Sequence, residues 1–189
     1  MGGVVSFEEH ALARLREKLG AAEEAREDLI AFARGHSGAV SAIHEAVLAA
    51  IAAESMDGLI RTVRKNWPAI LGIDSVALAL AIGDDGFCAG VDGVHKVARQ
   101  LLLSAADSAG EVTMRNVERG HPLFGFSSTE IRAEALVAVD CGTGLPRGLL
   151  LLGQNQPYPL ENGHGGDLLR FLGRSLGAII AGWLKTPNP

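Results

Sequence analysis

The sequence predicts an α+β fold: an antiparallel sheet flanked by helices and preceded by a long N-terminal helix of the coiled-coil type. Three observations carry this expectation. An apolar heptad seam runs through the first third of the chain. The middle and the later part then switch to strand-like period two. The strands so marked are joined by tight Gly-, Asp- and Pro-bearing turns, which antiparallel neighbours use and parallel ones cannot.

With Leu12 at heptad position a, the a and d positions are Leu12, Leu15, Leu19, Ala22, Arg26, Leu29, Ala33, His36, Val40, Ile43, Val47 and Ala50. Only Arg26 and His36 are not apolar, and a seam that keeps register this long predicts a coiled coil or bundle. Lys18 at g and Glu23 at the following e would meet across a parallel pair with opposite charge. The seam therefore predicts a parallel homodimer, with residues 1–36 as a dimerisation helix and residues 37–186 as the sheet-bearing domain. Gly35, His36, Ser37 and Gly38 lower helix propensity, so a kink or break is expected between a helix over Phe7–Arg34 and one over Ser37–Ala53.

Ser55-Met56-Asp57 is a capping signal for a third helix, whose Leu59, Ile60, Val63, Trp67, Ile70 and Leu71 fall at helical spacing and whose Pro68 kinks or restarts it. Val76, Leu78, Leu80 and Ile82 then alternate with Ala77, Ala79 and Ala81, a strand with one large-residue and one small-residue face. Gly83-Asp84-Asp85-Gly86 turns the chain into a returning strand over Phe87–Val91. The spacing predicts a helix over Val94–Ala106, a short strand over Glu111–Val117 and a loop over Arg119–Thr129. Ala133–Cys141 reads as a strand with Val137 and Val139 on one face and Leu136 and Ala138 on the other. After the turn Gly142–Pro146, Gly148–Gln154 is apolar on both faces at Leu149–Leu152, which suits the middle of a sheet. Asp167 opens the last helix, where Leu169, Leu172, Leu176, Ile179 and Trp183 recur at threes and fours. Its apolar face could add a second helix pair to the dimer. Pro187 and Pro189 follow it.

Composition bounds the function. About half of the 189 residues are apolar (48%), a globular balance, and the formal net charge is −5. That charge disfavours a general nucleic-acid binder, which needs a basic surface. Arg61, Arg64 and Lys65 form a local basic group, read as a solvated helix face. Met1–His10 lacks a secretory pattern, and no run is apolar over the ~20 residues a membrane helix needs. With two cysteines and no export signal, reduced thiols and a cytoplasmic home are expected.

The order of elements resembles the GAF fold, and the motifs resemble the bacterial domain-of-unknown-function family 484. The likeness rests on the Leu-rich first helix running into Ile43–Ile51, and on Leu59–Ile82 with Trp67 and Val76-Ala77-Leu78-Ala79-Leu80. It also rests on Arg119-Gly120 with Leu123-Phe124-Gly125 and Glu134-Ala135-Leu136-Val137, and on Arg147–Gly153 followed by the Leu169–Leu184 helix. The sequence departs from the family in the loop Gln154–Tyr158, where an acidic residue and a Phe are expected. The resemblance implies small-ligand sensing, or protein–protein regulation through paired helices. It also implies that residues 92–131, between the two hairpins, cover one sheet face and can enclose a ligand.

That cover holds the candidate ligand residues Arg115, Arg119, His121, Phe124 and Phe126. Arg binds carboxylate or phosphate bidentately, and Phe closes an apolar wall. The Ala77-Ala79-Ala81 face either leaves room beneath the cover or lets helices approach closely, and the pattern alone admits both. Other chemistry finds little support. His10, His36, His44, His95, His121 and His164 are scattered, without metal-ligand spacing. Gly86–Gly93 and Gly142–Gly148 carry neither a Walker lysine nor a dinucleotide fingerprint, so no cofactor is expected. An enzyme of the free methionine sulfoxide reductase type would need Cys88 or Cys141 as a thiolate. Asp84 and Asp85 precede the first and Asp140 the second, which opposes that ionisation. The sequence thus predicts no catalytic residue. In the GAF strand order Cys88 and Cys141 lie on strands that are not neighbours. Strands are spaced about 4.8 Å apart, and a disulfide needs Cα atoms within about 7 Å, so no internal disulfide is expected.

Overall fold

A computed structural model describes residues 7–157 and 165–185. The chain divides into two compact units, Met1–Val40 and Ser41–Pro189. The first unit is helical from Phe7 onward and belongs to helix α1, which spans Phe7–Ile51. The expected break at Gly35–Gly38 is therefore corrected: the helix is continuous there. Glycine costs a helix interior roughly 1 kcal/mol, a penalty that a long run of good helix formers absorbs. Leu19 and Arg26 of the seam are exposed. The seam side chains of Leu12, Leu15, Ala22, Leu29, Ala33 and His36 lie outside the described ones, as do the side chain of His10, residues Tyr158–His164 and the terminal prolines.

In the second unit, α1 ends at Ile51 and Ser55 caps α2 (Met56–Arg61), its hydroxyl accepting the Gly58 N–H at 3.0 Å. A π-helical turn over Thr62–Asn66 links α2 to α3 (Trp67–Leu71). Pro68 explains that turn. It has no N–H to offer the Arg64 carbonyl and its ring crowds that carbonyl, so the helix widens and the Trp67 N–H bonds to Thr62 instead. Trp67 is fully buried, and its indole N–H donates to the Ala46 carbonyl at 3.0 Å, tying α3 to the end of α1.

Six strands follow: β1 (Ser75–Ile82), β2 (Asp85–Gly90), β3 (Gly93–Val97), β4 (Val112–Asn116), β5 (Ala133–Asp140) and β6 (Arg147–Gln154). Helix α4 (Arg99–Ala109) lies between β3 and β4, a 3-10 segment (Pro122–Thr129) between β4 and β5, and α5 (Gly165–Lys185) after β6. The sheet order is β3-β2-β1-β6-β5-β4, and every pairing is antiparallel. Apolar β6 is central, as its two-faced sequence requires.

Val94–Val97 is not the start of a helix but edge strand β3, and the helix begins only at Arg99. Gly93, at φ 106°, allows a two-residue turn through Val91 and Asp92, so Gly90 pairs with Gly93 and the chain reverses at once. The edge strand is largely exposed, which leaves no alternating apolar face for the sequence to display.

The period-two alternation separates two cores. Val76, Leu78, Leu80, Val137, Val139, Leu150 and Leu152 face a helical layer built from Ile43, Ala46 and Ala50, from Leu59, Val63 and Trp67, and from Leu172, Leu176 and Ile180. The opposite face carries Ala77, Ala79, Ala81, Cys88, Leu136, Leu149 and Leu151 under α4, Leu123, Phe124 and Ile131. The cover anticipated over the small-residue face is thus present. Over the Ala77-Ala79-Ala81 stripe it is packed, with Phe124 and Ile131 buried in it.

Candidate functional site

The polar centre of the cover layer is Glu134. Alternation along β5 turns it to the same face as Leu136, and its side chain is entirely buried. A buried carboxylate needs charge or donors around it. The β4–β5 register sets Arg115 directly opposite. The Arg115 guanidinium donates from Nε to Glu134 Oε1 at 2.8 Å, and its Nη2 forms an ion pair with the same oxygen at 2.7 Å. The other oxygen, Oε2, accepts the backbone N–H of His121 at 2.6 Å. One carboxylate therefore anchors the edge strand and the start of the 3-10 segment together.

His121 also caps that segment. Its Nδ1 accepts the Leu123 N–H at 3.2 Å, so in the neutral ring the proton sits on Nε2. Burial pushes the His121 pKa down; the Glu134 carboxylate opposes this and the Arg115 charge reinforces it. The imidazole is accordingly neutral at physiological pH.

Arg115 and His121 border a cavity of about 270 Å³ between α4 and β4, which Ser104, Ala105, Ser108 and Leu136 also line. Of the five residues expected from sequence, these two meet. Phe124 instead fills the core beneath the 3-10 segment. Arg119 faces solvent, and Phe126 is 85% exposed. Phe126 is held outward because the segment breaks at Gly125 (φ 65°) and the Phe126 N–H donates to the Asp92 carboxylate at 3.1 Å. Glu134, which holds this pair, and Ser104 and Ser108, which line the cavity, are not singled out by the sequence. The available signal was Glu134 itself, a lone acid inside the apolar run Ala133–Val139.

The thiols sit apart. Cys88 belongs to the cover-side core and Cys141 to the helix-side core, with β1 and β6 between their strands. Both are buried and free. Burial first, and Asp92 second, push the Cys88 pKa up to about 11; burial and Asp140 do the same for Cys141. The acid opposing Cys88 is Asp92, not the neighbouring Asp84 and Asp85. The Cys88 thiol donates to the Leu123 carbonyl at 3.2 Å. Among the described residues no group of three His, Cys, Asp or Glu is placed to hold a metal ion, and no helix is long and apolar enough to cross a membrane.

The family model described as "Protein of unknown function, DUF484" matches residues 1–185. Among curated proteins none matches the chain. Solved structures place the fold among GAF domains. The GAF domain of an Acinetobacter phosphoenolpyruvate-protein phosphotransferase aligns with a TM-score of 0.54 at 14% identity, covering 75% of this chain and 91% of its own. The GAF domain of a two-component sensor histidine kinase from Bacillus halodurans aligns at 0.51 and 13%, covering 68% and 95%. A far-red absorbing protein in its dark state, with bound biliverdin IXa, aligns at 0.52 and 14%, covering 76% and 99%.

Proposed function

The chain belongs to the DUF484 family and has a GAF-like fold, and from that premise we propose that it is a sensory or regulatory module acting as a homodimer. Its ligand site lies under the 92–131 cover, at the end where Arg115 and His121 border the cavity. The observation that carries this reading is the buried Glu134 carboxylate, held by the half-exposed Arg115 guanidinium and the His121 N–H beside a space that the cover leaves unfilled. Burying a carboxylate is costly, and an apolar residue at 134 would serve packing alone as well. Its retention next to a cavity suits a site that orients a guanidinium for recognition. Phe126, turned outward and exposed, does not border this cavity.

The dimer is built on the N-terminal helix as a parallel pair, with a contribution from α5. Leu19, at a seam position, is 61% exposed in the single chain, and pairing would cover it. Ligand binding would signal by biasing how the paired helices sit. A thiol enzyme is disfavoured, because both thiols are protonated near neutral pH and neither lines the cavity.

Two measurements test the proposal. Sedimentation is expected to give a dimer for the intact chain and a monomer for a chain lacking residues 1–34. Native mass spectrometry of freshly purified protein is expected to reveal a small bound mass released on unfolding. An intact chain that is monomeric would remove the dimer. A dimer with no bound mass, and no small molecule that alters it, would reduce the protein to a scaffold.

A further inference from the structure

Resting on the ligand-binding reading above, we propose that the cavity between α4 and β4 takes a small monocarboxylate with a compact apolar body. Most polar groups around the cavity are already committed to partners within the protein. Arg115 spends Nε and Nη2 on Glu134, and the Thr113 hydroxyl donates to the Ala109 carbonyl at 2.9 Å. Glu134 is itself fully engaged, by Arg115 on one oxygen and by the His121 N–H on the other. His121 spends Nδ1 on the Leu123 N–H. Left without a partner among the described residues are Arg115 Nη1, His121 Nε2–H, and the hydroxyls of Ser104 and Ser108.

Every one of these groups can donate a hydrogen bond, and no uncommitted carboxylate lines the cavity. A cationic head would find no charged acceptor there. A carboxylate would accept from the free edge of a guanidinium that Glu134 already holds in place, a charge-assisted contact stronger than a neutral one. The remaining wall is apolar: Leu101, Ala105, Ala109 and Leu136. A volume of about 270 Å³ corresponds to roughly nine waters at ~30 Å³ each. That suits a single ring or a short branched chain.

The test uses the intact chain, uniformly labelled with nitrogen-15, and follows its amide resonances during titration. The acids are benzoate, phenylacetate and isovalerate; benzamide and benzylamine are the neutral and cationic comparisons. At least one acid is expected to shift the amides of Ala105, Ala109, Arg115 and His121. Benzamide should bind about tenfold more weakly than benzoate, the equivalent of ~1.4 kcal/mol, and benzylamine should leave these resonances unmoved. Ser108→Leu, an exposed position on α4 that borders the cavity, should abolish the shifts while thermal melting confirms the fold. Benzamide matching the acids at the same resonances would overturn the carboxylate assignment and leave the ligand site standing. If no compound moves these resonances at millimolar concentration, or Ser108→Leu leaves the shifts intact, the carboxylate assignment and the ligand site both fail.

Discussion

Arg115 and Glu134 face each other across the β4–β5 register, joined at 2.7 Å, yet they are buried unequally. The carboxylate is wholly enclosed and the guanidinium side chain is 51% exposed. The asymmetry sets the direction of a mutational test. Removing Arg115 strands a buried carboxylate, whereas removing the carboxylate leaves a cation that can still reach water. Arg115→Met should therefore cost about 2 kcal/mol and Glu134→Gln only about 1 kcal/mol, both below the ~3–5 kcal/mol expected where both charges are buried, because water screens the half-exposed guanidinium. Urea unfolding of the two variants checks the order. Equal costs would mean that the pair is solvated in practice.

His121 makes stability depend on pH. Its folded pKa lies below the ordinary value of 6.5, chiefly through burial. As pH falls below that value the unfolded chain takes up the proton first, so its contribution is present above pH 6.5 and is lost as acid is added. Protonation also places a hydrogen on Nδ1, where the Leu123 N–H must be accepted. Asn at 121 can accept that N–H without titrating. The stability difference between wild type and His121→Asn should shift against the wild type between about pH 7 and pH 5. Denaturation curves across that range would refute the link if both proteins lose stability in parallel.

Gly177 tests how closely α5 lies on β5. A Cβ there would come 2.4 Å from the Asp140 carbonyl oxygen, and one at Gly173 would come 2.7 Å from that of Ala138. Gly177→Ala should destabilise by about 1–3 kcal/mol despite alanine's better helix propensity, because helix and strand must separate. Gly38→Ala in α1, where a Cβ meets nothing within 4 Å, should be neutral or stabilising by up to about 1 kcal/mol. Thermal melts of the pair separate close packing from propensity.

Thiol accessibility bears on the enzyme question. With both pKa values near 11 and both sulfurs buried, iodoacetamide at pH 7.5 should leave Cys88 and Cys141 unmodified over an hour and should label both in urea. Mass spectrometry of the two samples reads this out. Rapid labelling of one cysteine in the native protein would reopen the thiol chemistry that the geometry argues against.

The sequence by itself determined the architecture wherever a side-chain period was available. Ala77-Ala79-Ala81 against Val76-Leu78-Leu80 set the two faces of β1, the Leu149–Leu152 run placed β6 centrally, and Pro68 marked the interruption that became the π-turn. Such patterns are local, because burial on one side of a strand or helix repeats every two or 3.6 residues. Edge strand β3 and the unbroken α1 escaped, the first because an exposed edge shows no apolar alternation, the second because propensity is a weak prior that a long helix overrides. Among the site residues, Arg115 and His121 were legible as donors in a covering segment, but Glu134 was not, since nothing in its neighbours names a partner nineteen residues away. Only the tertiary structure decided that Phe124 belongs to the core and Phe126 to the surface, two residues apart on one short segment. The reversal at Gly125 and the Asp92 carboxylate, brought over by the β2–β3 turn, make that choice, and contacts between segments distant in sequence leave no periodic trace in either.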